Sequence, residues 1–133
     1  FSLAYQARVT ELLQSRPATR ALPLIVFTKG AGRWLSEQTQ IGCAALGVDW
    51  TQELGDVRAA TGGKVALQGN LDPIALFGPP ERIRAEVARI LESYGPGPGH
   101  VFNLGHGVLQ QTDPDHVAVL VDAVHELSAP YHA

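Results

Sequence analysis

Apolar residues come in two arrangements along this chain, short runs and helical stripes, and the two take turns. The runs cover residues 22–27, 44–48, 64–67 and 100–104. Each is short and nearly unbroken, the pattern of a strand buried on both faces, and in the first the strand proper is expected over 24–27. The stripes lie between them. Residues 1–15 place Leu3, Val9, Leu12 and Leu13 at helical spacing with Tyr5 nearby, and Arg16-Pro17 ends the element. A second helix is predicted over 33–41, with Trp34, Leu35 and Ile41 on its buried side and Gly42 closing it. A short third helix runs over 52–61 to the stop signal Gly62-Gly63. The clearest stripe follows Pro79-Pro80, where Ile83, Val87, Ile90, Leu91 and Tyr94 fall on one face and Arg82 and Glu86 pair on the other. Gly95 ends that helix. The last helix takes Asp113 as N-cap and Pro114 at its first position, with Val117, Leu120, Val121, Val124 and Leu127 as its stripe.

The order is therefore one helix followed by four strand–helix units. Strands that alternate with helices and carry apolar rather than alternating patterns make an α/β fold with a parallel sheet. Right-handed crossovers then predict four parallel strands adjacent in sequence order, with helices on the outer face. At 133 residues, residues 1–133 form a single domain with a modest core.

Charge narrows the partners. The formal net charge is −3 and the ten basic residues form no run, which argues against nucleic acid. No apolar stretch approaches the roughly 18 residues of a membrane span. The lone cysteine excludes an internal disulfide and fits a reducing cytosol. The sequence opens without methionine inside a helical pattern, so a piece of a longer chain is expected.

Candidate chemistry collects where the strands end: Thr28-Lys29-Gly30, Asp49-Trp50, Gln68-Gly69-Asn70 and Gly105-His106-Gly107. Parallel α/β proteins place their sites at that edge, because loops there vary without disturbing the core. His106 is the leading candidate, since glycines on both sides permit a sharp bend and a close ligand approach. Lys29, Asp49, Gln68 and Asn70 are the lesser candidates. Each has a plainer reading: His106 as a turn residue, Lys29 as a loop cation, Asp49 as a turn or N-cap residue, Gln68 and Asn70 as partners of loop backbone groups. Lys29 and Arg33 are the only basic residues near these ends. Phosphate loops, a dinucleotide fingerprint and a nucleophile elbow are absent. Cys43 sits at the opposite end of its strand and reads as packing. His100, His116, His125 and His132 lack zinc-ligand spacing with one another or with Cys43 and read as structural or exposed.

The segments FTKGAGRWL, GVDW, VALQGNLDP, PPERIRAEV, GHVFNLGHGV and VDAVHELS closely resemble, in order, the C-terminal half of the uroporphyrinogen decarboxylase family. The resemblance implies four βα units from the C-terminal half of a (β/α)8 TIM-type barrel, in a cytoplasmic homodimeric enzyme of porphyrin and haem biosynthesis. Such enzymes convert uroporphyrinogen III to coproporphyrinogen III by decarboxylating its four acetate side chains, with no metal or organic cofactor. A protonated pyrrole carbon is the electron sink. The resemblance assigns substrate binding to His106. The family's substrate-gripping arginines, its pyrrole-holding aspartate, its tyrosine and its serine lie upstream of the part matched here. No catalytic residue is therefore assigned within the chain, and the isolated chain is expected to be inactive.

Two other readings compete. A related-barrel corrinoid or thiol methyltransferase binds zinc through histidine and cysteines, and no thiolate stands at these strand ends. A non-catalytic half-barrel fragment or assembly partner is the second: four parallel strands leave two open edges that invite another chain.

Overall fold

The computed structural model describes residues 2–132. Helix α1 (Ser2–Gln14) leads into strand β1 (Ile25–Phe27), followed by helix α2 (Leu35–Gln38), strand β2 (Ala45–Gly47), helix α3 (Leu54–Thr61), strand β3 (Ala66–Leu71), helix α4 (Pro80–Tyr94), strand β4 (His100–Leu104) and helix α5 (Pro114–Ser128). The sheet order is β1-β2-β3-β4 with every pair parallel, as the crossover rule predicts. This is the architecture of part of a TIM-type barrel.

Helices cover one face of the sheet. Leu46 and Leu67, register partners on β2 and β3, point into it beside Leu71 and Leu76, all at most 1% exposed. The predicted α4 stripe supplies the other side: Ile83, Val87, Ile90, Leu91 and Tyr94 are all buried. Gly95 closes α4 in a left-handed conformation (φ 79°), where a side chain would be strained. Asp113 caps α5 by accepting a hydrogen bond from the Asp115 N–H at 2.9 Å. Cys43 is buried, and its thiol donates to the Gln38 carbonyl at 3.7 Å. Two of the histidines read as structural or exposed have structural partners. His100 stacks on Tyr94 with ring centres 4.6 Å apart, and His116 Nδ1 lies 2.7 Å from the Leu76 carbonyl.

Several sequence expectations need correction. The run 22–27 is not a strand buried on both faces: only Ile25–Phe27 pairs, and Ile25 and Phe27 stand about half exposed on the uncovered face of an edge strand. The predicted helix 33–41 is a four-residue α-turn between two 3-10 turns, Gly32–Trp34 and Thr39–Ile41. A 3-10 turn takes three residues, so a stripe counted at 3.6 drifts off its face. Leu35 stays buried, Ile41 is half-buried, and Trp34 is exposed. On α1 the expected stripe is only partly covered: Leu3 and Leu13 are half-buried, but Tyr5, Val9 and Leu12 are exposed and Thr10 is buried; Phe1 lies outside the described residues. On α5, Leu120 is buried and Ala123 fully so, but Val121 is exposed, because among the described residues no element lies beyond β4 to cover it.

The correction that matters most concerns β3. Gln68-Gly69-Asn70 is not a loop after the strand; the strand runs through it to Leu71. Glycine and asparagine are poor strand formers, but β4 pairs along the whole stretch, with Asn70 opposite Asn103 and Leu71 opposite Leu104, while β2 pairs as far as Gln68. Pairing overrides propensity there.

Candidate functional site

Side chains alternate between the two faces of a strand, and register partners in a parallel sheet share a face. With Leu46 and Leu67 turned to the helices, Phe27, Gly47, Gln68 and Val101 form one row on the opposite, uncovered face. Gly47 is glycine because Phe27 lies over it: a Cβ there would come within 2.8 Å of the ring. Gln68 is half-buried in the same row, and Asn103 is exposed one pair further along, toward the carboxyl ends.

His106 leans back over this face. In a flat sheet β1 and β4 would stand three spacings, about 14 Å, apart. Yet the His106 ring centre is 6.0 Å from Phe27 of β1, edge to face at 82°, and 6.2 Å from Trp50 after β2. Sheet curvature and the loop after β4 together carry the imidazole across the mouth. The Gly107 N–H donates to His106 Nδ1 at 2.8 Å. A nitrogen accepting that bond offers its lone pair, so in the neutral ring the proton sits on Nε2, which is left to donate outward. The two neighbouring glycines have different reasons. At Gly105 a Cβ would lie 2.5 Å from the Trp50 nitrogen, so close packing demands glycine. At Gly107 a Cβ would meet nothing within 4 Å, and the space beside the imidazole stays open.

Lys29 reaches the same cluster from the loop after β1, its ammonium 4.9 Å from the centre of the Trp50 ring. Such a contact holds a flexible cation over an aromatic face without neutralising it. Arg33 is exposed on the neighbouring 3-10 turn.

Asp49 and Asn70 are used differently. Asp49 is 3% exposed. Its carboxylate accepts from the Gly30 N–H on one oxygen and from the Thr51 N–H and hydroxyl on the other. Burial pushes this carboxyl up, but the hydrogen bonds from Thr51 and Gly30, with the charge of Lys29, outweigh it and hold it below its ordinary value. The Asn70 side-chain amide donates to the backbone carbonyls of Asp49 at 3.0 Å and Gln52 at 2.6 Å, tying β3 to the loop after β2.

Of the predicted residues, the structure thus gathers His106 and Lys29 around Trp50, places Gln68 on the uncovered face below, and buries Asp49 and Asn70 as links between loops. Sequence reasoning passed over Phe27, Trp50 and Asn103 as site residues. A count by twos would have found Phe27 and Asn103; Trp50 had only its place after a strand to mark it. One cation, one imidazole donor and two aromatic rings suit an anionic ligand with a flat ring system. Among the described residues no three His, Cys, Asp or Glu side chains gather to hold a metal ion. No helix among them is long and apolar enough to cross a membrane.

Uroporphyrinogen decarboxylases of Chromohalobacter salexigens, Neisseria meningitidis serogroup C and Hahella chejuensis are 61%, 58% and 53% identical to this chain over 132 residues, 99% of its length. The chain spans 37% of the length of these curated relatives. A methyltransferase from Methanosarcina mazei has a similar structure, with a TM-score of 0.75 over 97% of this chain and 39% of that one; at 24% identity the likeness concerns the fold alone. The profile of the family described as uroporphyrinogen decarboxylase (URO-D) matches residues 1–127, and the chain belongs to that family.

Proposed function

We propose that residues 1–133 are an incomplete single domain, the C-terminal half of the barrel of a uroporphyrinogen decarboxylase. The whole enzyme converts uroporphyrinogen III to coproporphyrinogen III without metal or organic cofactor. Each of the four steps releases carbon dioxide from an acetate side chain and leaves a methyl group, and the electron pair of the broken bond passes to a protonated pyrrole before a proton replaces the lost carboxylate. This half supplies binding. His106 donates from Nε2 to a substrate carboxylate, Lys29 adds local positive charge in a chain of net charge −3, and Phe27 and Trp50 wall the mouth. Gln68 faces the lumen. The observation that carries this reading is His106 reaching across the sheet to within 6.0 Å of Phe27, an arrangement that makes a barrel mouth rather than a surface turn. The enzyme is cytoplasmic and homodimeric, and it binds neither nucleic acid nor membrane.

The test is a chimera in which residues 1–133 replace the matching segment of the Chromohalobacter salexigens relative. Turnover of uroporphyrinogen III to coproporphyrinogen III is expected, and none from the 133 residues alone. An inactive but folded chimera would count against the proposal. The second reading, a non-catalytic half-barrel that assembles with another chain, draws on the half-exposed Ile25, Phe27 and Val101 of the uncovered face. Activity from the chimera would rule it out.

A further inference from the structure

All four strand ends meet at Asp49. Its carboxylate holds Gly30 of the loop after β1 and Thr51 of its own loop. Its carbonyl accepts from Asn70 near the end of β3. Gly105, just past β4, packs so closely that a Cβ would lie 3.2 Å from Asp49 Cα, and the Gly105 N–H donates to the Leu71 carbonyl at 2.8 Å. Lys29 is the residue before Gly30, Trp50 the residue after Asp49, and His106 the residue after Gly105. The three groups of the mouth are thus each one peptide from an Asp49 contact or from Asp49 itself.

We propose that Asp49 is a positioning residue that sets Lys29 and His106 in register over the mouth and does not touch the ligand; the catalytic part of this inference rests on the proposed decarboxylase reading. Both carboxylate oxygens are engaged and the residue is 3% exposed, so no free oxygen faces the lumen. Asparagine cannot substitute. Whichever way its amide turns, its NH2 meets either the Gly30 N–H or the Thr51 donors, and a donor facing a donor releases one loop.

Two experiments decide it. In NMR spectra of the 133-residue chain, Asp49→Asn is expected to shift the Gly30 and Thr51 amides together with the ring signals of Trp50 and His106, while Ile83 and Ile90 of α4 stay in place. Thr51→Val, which removes only the hydroxyl donor, should give the same pattern more weakly; it decides the matter if Asp49→Asn does not fold. Unmoved His106 and Trp50 rings in a folded variant would overturn the proposal. In the active chimera, Asp49→Asn should raise KM for uroporphyrinogen about tenfold with kcat within about threefold. In a Lys29→Ala, His106→Ala background the same change should cost less than about twofold, because its effect passes through those residues. An undiminished effect in that background, or a loss confined to kcat, would refute it. An inactive chimera would sink the decarboxylase reading and leave the NMR result to judge Asp49 alone.

Discussion

The two faces of the sheet are built from the same strands and have opposite fates. On the helix side Leu46 and Leu67 are sealed in the core beneath the helices. On the other side Ile25, Phe27 and Val101 remain 52%, 45% and 47% exposed. Adjacent residues of one strand thus sit in a closed core and in the open. The apolar character of the strands is therefore not explained by the helices alone: half of it is directed at a lumen that these four strands line from one side. Among the described strand residues, polar groups enter that face at Gln68, level with Phe27 and Val101, and further toward the carboxyl ends at Asn70 and Asn103, with His106 above them.

The contrast predicts that substitutions on the two faces differ sharply in cost. Leu67→Ala, on the covered side, is expected to cost the 133-residue chain about 2–5 kcal/mol, read from urea unfolding, since it leaves a cavity among packed neighbours. A loss below about 1 kcal/mol would show that the covered core is loose.

His106→Ala in the chimera probes the upper end of the open face. It should lower kcat/KM by a cost of about 1–3 kcal/mol, the scale of a lost charge-assisted hydrogen bond, and leave the melting temperature nearly unchanged. His106→Asn should recover part of the loss by keeping a donor. A neutral effect on turnover together with marked destabilisation would return His106 to a turn-capping role.

Val101→Thr tests the open face lower down. In the isolated chain it should change stability by no more than about 0.5 kcal/mol, as for other exposed positions. In the chimera, where the lumen closes, burying the hydroxyl should make the same change cost about 1 kcal/mol or more. Equal costs in the two settings would mean that Val101 never faces a lumen.

The last test addresses the base of the covered side. Burial, followed by the nearby charge of His132, lowers the pKa of His100 and outweighs its hydrogen bond to the Gly69 carbonyl. The unfolded chain then binds the proton first, so stability should fall as pH drops from above 6.5 towards the folded value and level off below it. His100→Gln should flatten that slope in urea midpoints measured across the window. An unchanged slope would assign it to other groups.

Much of the fold could be read without coordinates because its signals are local. The α4 stripe, the Asp113-Pro114 start of α5 and the alternation of runs and stripes each depend on residues within a few turns of one another. They gave element type, order and a parallel sheet. The positions of His106 and Lys29 just past strand ends were also legible. Where a strand stops was another matter: Gln68-Gly69-Asn70 looks like a loop by propensity and becomes strand because β4 pairs with all three residues and β2 with Gln68. Exposure behaved likewise. Phe27 and Val121 carry the pattern of buried residues, and they stand open because none of the described elements covers the second sheet face or lies beside β4. The position of Asp49 was the least visible. Nothing in Asp49-Trp50 as text distinguishes a ligand contact from a junction, because its partners at Gly30, Asn70 and Gly105 lie 19 to 56 positions away and meet it only when the strands close side by side.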